Sequence, residues 1–342
     1  MDTHGLSVAM LFDVAQLGLP AFQERAPWVG GDLQTLRNVV RRPAVDLSAY
    51  RAERLVLPLR DGTGDSLVGS LHQPRAARAA RGARPLVVLI HGLTGSEDSV
   101  HIRVTAACLL RAGFPVLRLN MRGAGASRRS CRFHYHAGRS EDLAHAFAAL
   151  PADATEGGVA AVGFSLGGNV LLKYLGEVGR QSPLTAAVAV SSPLDLAATA
   201  HCIMAPRNAV YHWYFLRDCQ REAAASLGAE ECRPALDAQS LWEFDDRMTA
   251  PRNGFASAGD YYARSSALNF LDGIAVPTLL LHSEDDPIVP AEAYHAYSWS
   301  RNRRLLPAIE RRGGHVGFHD RNGGVWHDRA IKLFLERTLS LS

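Results

Sequence analysis

Lysine is almost missing from this 342-residue chain, standing only at Lys173 and Lys332, while the other 35 of the 37 basic residues are arginine. Against 34 acidic residues the formal net charge is +3, so no excess of positive charge is available to follow a nucleic-acid backbone, and no nucleic-acid partner is expected. Cysteine is scarce and odd in number. Cys108, Cys131, Cys202, Cys219 and Cys232 contain no C-x-x-C pair, which argues against a disulfide framework and a cysteine-rich zinc site and for a reducing compartment. Long apolar runs are missing too: the run over 159–172 is interrupted by glycines and stops at Lys173, short of the ~18 residues of a membrane span. No Arg or Lys precedes Arg25, and Asp2 and Asp13 stand in the first stretch, so the basic start of a secretory signal is absent. The expectation is a soluble, cytoplasmic protein without an integral span, with peripheral membrane contact left open. The balance of 47% apolar to 21% charged residues excludes disordered, collagen-like and coiled-coil chains. At this length roughly 75% of the unfolded surface is buried on folding, enough for one large domain with an insertion or for two domains.

From Pro85 onward the chain acquires a rhythm. Short runs rich in β-branched and other apolar residues at 86–90, 116–119, 159–162, 186–190, 278–281 and 305–309 mostly alternate with helix-like stretches, the pattern of a parallel sheet buried on both faces. Upstream, 54–57 and 66–71 flank Asp61-Gly62-Thr63-Gly64, which predicts a leading antiparallel hairpin. The Ala/Arg run over 75–84 reads as a loop. The stretch 196–271 is too long for an ordinary crossover and holds Tyr211-His212-Trp213-Tyr214-Phe215; it reads as a helical cap between two strands, with a helix packed on the sheet as the other reading of the aromatics.

Gly163-Phe164-Ser165-Leu166-Gly167 is a G-x-S-x-G motif. Its context strengthens it: an apolar strand precedes it, and Val170, Leu171, Tyr174, Leu175 and Val178 follow at helical spacing. A turn this tight strains the serine backbone and lifts its hydroxyl above the sheet edge. A serine hydroxyl needs a base and an orienting acid. His315, in Gly313-Gly314-His315-Val316-Gly317 after the last strand, is the chosen base, with His319 and His327 as alternatives. Asp286, in Ser283-Glu284-Asp285-Asp286-Pro287, is the chosen acid, ahead of Asp285; Asp195, after the run 186–190, is a further candidate acid that reads first as a helix N-cap. The order Ser165, Asp286, His315 is that of the α/β-hydrolases and of neither chymotrypsin nor subtilisin. Two backbone N–H groups should face the oxyanion, from Leu166 at the helix start and from Leu93 in His91-Gly92-Leu93-Thr94, with His91 shaping that loop. The Gly-rich segment Asn120-Met121-Arg122-Gly123-Ala124-Gly125-Ala126-Ser127 lacks a P-loop ending and reads as a structural loop.

Together these segments resemble the α/β-hydrolase superfamily, and more specifically its YheT-like branch, which includes plant embryogenesis-associated proteins and animal membrane-associated phospholipase-like hydrolases. Branch-level signs are Asp32-Leu33-Gln34-Thr35-Leu36, Tyr135-His136-Ala137-Gly138 with Glu141-Asp142, Leu172-Lys173-Tyr174-Leu175-Gly176, Phe244-Asp245-Asp246 with Gly254-Phe255, Asp260-Tyr261-Tyr262, and Gly314-His315-Val316-Gly317-Phe318. The resemblance implies an α/β-hydrolase fold, a mostly parallel doubly wound sheet with a helical cap inserted between two core strands. Residues 1–50 would pack on the core as an N-terminal segment, and 51–342 would form the catalytic domain with its cap at about 196–271. It further implies a serine esterase, a carboxylesterase or acylglycerol lipase acting on short- to medium-chain esters or lipids, with no metal or organic cofactor. A phospholipase, a thioesterase and a non-hydrolytic binding protein are the alternatives. Asp32 stands where the branch usually has His, and Asn120 where it has His or Asp; no counterpart of the animal membrane anchor is expected.

Overall fold

The computed structural model describes residues 17–41, 43–75 and 84–339. The readings of the first 16 residues and of the Ala/Arg run over 76–83 lie outside them. Eight strands form one sheet: β1 (Ala52–Pro58), β2 (Ser66–His72), β3 (Leu86–Ile90), β4 (Val116–Leu119), β5 (Val159–Phe164), β6 (Leu184–Val190), β7 (Thr278–Ser283) and β8 (Leu305–Glu310). Their order is β1-β2-β4-β3-β5-β6-β7-β8. Only β2 runs against its neighbours; every pair from β4 to β8 is parallel. The predicted strands recur, β3 and β4 with unchanged bounds. β5, β7 and β8 run on through Phe164, Ser283 and Glu310, because Gly163, His282 and Glu310 break the apolar pattern while the chain is still in the ladder.

Alternation along each strand feeds two cores. Leu86, Val88 and Ile90 pack with α3 (Glu141–Ala148) and α4 (Leu166–Val178) on one face, while Val87 and Leu89 pack with α2 (Val100–Arg111) and α12 (Trp326–Leu339) on the other. Burial on both faces is the reason the runs read as continuous rather than alternating. Leu17 and Leu47 join the second core, and a further helix, α1 (Gly31–Val40), lies against the loop after β8.

Between β6 and β7 the chain forms α5 (Leu196–Met204), α6 (Ala209–Ser226), α7 (Ala229–Leu236), α8 (Leu241–Phe244), α9 (Ala250–Arg252) and α10 (Ala258–Ser265); α11 (Glu292–Ala296) follows β7. Asp195 caps α5 by accepting the Ala198 N–H at 3.0 Å. The aromatic run lies on α6, where Tyr211 and Phe215 turn toward the core and Trp213 and Tyr214 are exposed. Between α8 and α9 the helix widens into a π-turn over Asp245–Thr249, a distortion frequent at functional sites.

The Gly-rich segment after β4 is a structural knot. The fully buried Arg122 guanidinium donates to Asp142 (2.6 and 2.9 Å), Asp65 (2.8 Å) and Asp61 (2.5 Å). It thereby ties α3, the hairpin turn and, through the Tyr135 N–H on its own carbonyl, the 132–135 loop. Asn120 accepts the Glu97 N–H and donates to the Val68 carbonyl. Removing the cation from such a cluster leaves buried carboxylates uncompensated, so Arg122→Met is expected to destabilise the fold by about 3–5 kcal/mol. Urea unfolding measures this; a loss below about 1 kcal/mol, the level of an exposed ion pair, would show that the cluster carries no such weight.

Candidate active site

The parallel sheet brings three strand ends to one edge. Ser165 follows β5 directly, with φ 50° and ψ −123°, a conformation that costs a non-glycine residue energy. The flanking glycines are required by space: a Cβ at Gly163 would lie 2.5 Å from the Gly167 carbonyl, and one at Gly167 2.7 Å from the Ile90 carbonyl. The Ser165 N–H is fixed on the Val190 carbonyl of β6 at 2.8 Å.

Ser165 Oγ stands 2.9 Å from His315 Nε2, and His315 Nδ1 stands 2.8 Å from Asp286 Oδ2. A carboxylate can only accept, so the ring proton sits on Nδ1 and the Nε2 lone pair faces the serine. The other Asp286 oxygen accepts the Ile288 and Val289 N–H groups at 2.8 and 2.9 Å. Burial alone would raise this carboxyl, but the facing His315, its hydrogen bond, His282 and the Val289 amide outweigh that and hold it below the usual carboxylate range. Asp285 turns elsewhere, accepting the Gly314 N–H and lying near Arg312. His319 is bonded to Arg37 through Nδ1, and His327 is buried among Phe164, Phe318 and Asp328.

The loop holding Leu93, one of the two expected oxyanion donors, follows β3, the strand beside β5. Gly92 lets it close on Ser165, since a Cβ there would lie 3.0 Å from Ser165 Cβ. His91 donates from Nδ1 to the Gly92 carbonyl at 2.8 Å and accepts the Met121 N–H at Nε2; burial pushes it down to about 4, which keeps it neutral. The N–H groups of Leu93 and Leu166 have no partner among the described residues, and both side chains line a cavity of about 170 Å³. That cavity runs under the α5–α10 helices, walled mainly by apolar residues such as Leu196, Ile203, Ala223 and Met248, with Tyr135, Glu222 and Asp245 interspersed. Burial raises Asp245 to about 6 and Glu222 to about 7.

The supporting groups around His315 were not legible as such. Gly314, Val316 and Phe318 all have φ between 48° and 60°, and a β-branched residue stays there only when its surroundings hold it. Here α1 does so: Thr35 Oγ1 accepts the His315 N–H at 2.8 Å, and Gln34 Oε1 accepts the His319 N–H at 2.7 Å. Ser191, after β6, accepts the Val316 N–H at 3.0 Å. Asp32 instead reaches the cap, accepting from Arg207 and Tyr211. The motif over 32–36 was the available signal, but it carries no indication of its distant partner.

Residues 85–321 match the family described as alpha/beta hydrolase fold. The chain belongs to the α/β-hydrolase family. Within it the hydrolase is 32% identical over 296 residues to YheT of Escherichia coli, whose naming as an esterase is itself provisional, covering 84% of this chain and 83% of that one. It is 31% identical to medium-chain fatty acid ethyl ester synthase/esterase 2 of Saccharomyces cerevisiae, over 74% of this chain but 62% of the yeast protein. A solved structure of the Pyrococcus furiosus esterase Pf2001 shares the fold, with a TM-score of 0.56 at 19% identity, covering 84% of this chain and 93% of that one. The hydrolase is thus an ester-cleaving enzyme of the YheT-like branch. Among the described residues no helix is long and apolar enough to cross a membrane.

Proposed function

We propose that the enzyme hydrolyses short- to medium-chain carboxylic esters through an acyl-enzyme on Ser165. The reading rests on the chain of hydrogen bonds from Ser165 through His315 to Asp286 beside an apolar cavity. Ser165 Oγ attacks the ester carbonyl as its proton passes to His315 Nε2, and the amides of Leu93 and Leu166 take the oxyanion. The carbonyl-to-alkoxy bond breaks, His315 returns the proton to the departing alcohol, and water, deprotonated by His315, releases the acid. No step requires a metal or organic cofactor. In this reading 51–342 is the catalytic domain, about 196–271 its cap and 1–50 a segment packed on it. The apolar wall suits an acyl chain, and the yeast relative's name points to medium length. Five unpaired cysteines support a cytoplasmic setting.

A panel of p-nitrophenyl esters from acetyl to hexadecanoyl, with monoacylglycerol and phospholipid arms, tests it. We expect kcat/KM to peak at short or medium acyl length, and a fluorophosphonate to label Ser165 in peptide mass spectra. A label on another residue, or turnover confined to phospholipids, would overturn the assignment.

A further inference from the structure

The oxyanion loop is held by a side chain outside the proposed triad. Thr94, next to Leu93, has φ 54°, a left-handed conformation that a β-branched residue rarely adopts unless it is held. What holds it is Tyr135: the Thr94 N–H donates to the Tyr135 hydroxyl at 2.7 Å. This uses a lone pair of the phenol and leaves its own proton to be directed. That proton goes to Glu222 Oε2, 3.3 Å away on cap helix α6, whose other oxygen lies 4.0 Å from Arg128. The backbone end of Tyr135 is anchored by its N–H on the Arg122 carbonyl, and its ring meets His91 edge-on at 5.7 Å. The phenol therefore touches the loop by both hydroxyl and ring.

We propose that Tyr135 is a positioning residue that keeps the Leu93 N–H aimed at the oxyanion, and that Glu222 orients the Tyr135 hydroxyl from the cap. This rests on the acyl-enzyme reading with Leu93 as an oxyanion donor. A donor contributes to rate only while its direction is set before charge develops. Tyr135→Phe keeps the ring and removes the acceptor, leaving the Thr94 N–H unbonded and the strained turn free to relax. Because Glu222 belongs to the cap, the arrangement also makes the oxyanion loop sensitive to where α6 sits.

The test uses the full chain with p-nitrophenyl butyrate and a trifluoromethyl ketone that mimics the tetrahedral adduct. For Y135F we expect kcat to fall about tenfold, the scale of one lost hydrogen bond in the transition state, with KM nearly unchanged. The ketone should bind weaker by the same factor, while the thermal melt stays cooperative. Glu222→Leu should lower kcat less, and the Y135F/E222L double variant should lose no more than Y135F alone, since both act through one hydroxyl. A change in KM alone, an unchanged ketone affinity, or additive losses would overturn the proposal. If Y135F is inert to these measures while fluorophosphonate still labels Ser165, this inference falls and the acyl-enzyme reading stands. If the parent enzyme leaves Ser165 unlabelled, both fall.

Discussion

Ser165→Ala is expected to lower kcat/KM for p-nitrophenyl butyrate by roughly 10⁵- to 10⁶-fold, the scale seen when a triad nucleophile is removed. The size follows from what remains. On the acyl-enzyme reading, the amides of Leu93 and Leu166, without a partner among the described residues, and the apolar cavity would still bind an ester and polarise its carbonyl, but without Oγ no covalent intermediate could form and His315 would have to recruit water at an unprepared distance. Alanine adds no atoms to the crowded turn, so the melting temperature should hold. That separates loss of chemistry from loss of fold. A variant keeping more than about a thousandth of the parent rate, well above the loss expected of a nucleophile deletion, would remove Ser165 from the mechanism.

Asp286→Asn should cost about 10⁴-fold in kcat while leaving KM and stability near parental values. The amide oxygen can keep the Ile288 and Val289 N–H bonds, since both fall on Oδ1. Its NH₂ then occupies the place of Oδ2, facing His315 Nδ1. A donor there demands a bare Nδ1, which moves the ring proton to Nε2 and points it at Ser165, so the base has no lone pair to offer. The pH dependence has a definite sign. The Asp286 carboxyl lies below its ordinary value in the folded protein, so its contribution is in place above the unfolded value and is lost only as pH falls through the depressed one. An acid limb of kcat/KM measured near neutrality would therefore not be assigned to Asp286. A D286N enzyme with kcat within tenfold of the parent would mean that His315 is oriented by something else.

Much of this architecture could be read from residue order because it is local. β3 and β4 lie between turn residues, and both of their faces are buried, so the stretches rich in apolar residues, with Arg118 buried inside β4, end where the strands end. The serine turn announces itself because glycines are forced at 163 and 167 by backbone contact. Choosing Asp286 over Asp285 relied on the following proline; in the structure the two neighbours diverge, one bonded to the His315 ring and the other to the Gly314 N–H. What stayed hidden is non-local. Nothing in Asp32-Leu33-Gln34-Thr35-Leu36 indicates that Gln34 and Thr35 grip a loop some 280 residues away. Likewise Arg122 sits in a glycine-rich loop with nothing nearby in sequence to say that it will meet Asp61, Asp65 and Asp142 at once. The cap aromatics divide between core and surface according to helix phase, which the run of five consecutive residues conceals.

The clasp between α1 and the His315 loop bears on how activity arises during synthesis. Thr35 is made early, waits through the whole sheet, and acquires its partner only when His315 arrives 280 residues later. Contacts of such separation form late because loop closure must be paid for first. Until then the elbow at Ser165 lacks both the His315 ring proposed as its base and the brace that aims that ring. On the acyl-enzyme reading, a nascent chain that carries Ser165 but not yet His315 is expected to be chemically silent on the ribosome, and the first turnover should wait for a contact that closes a loop of 280 residues.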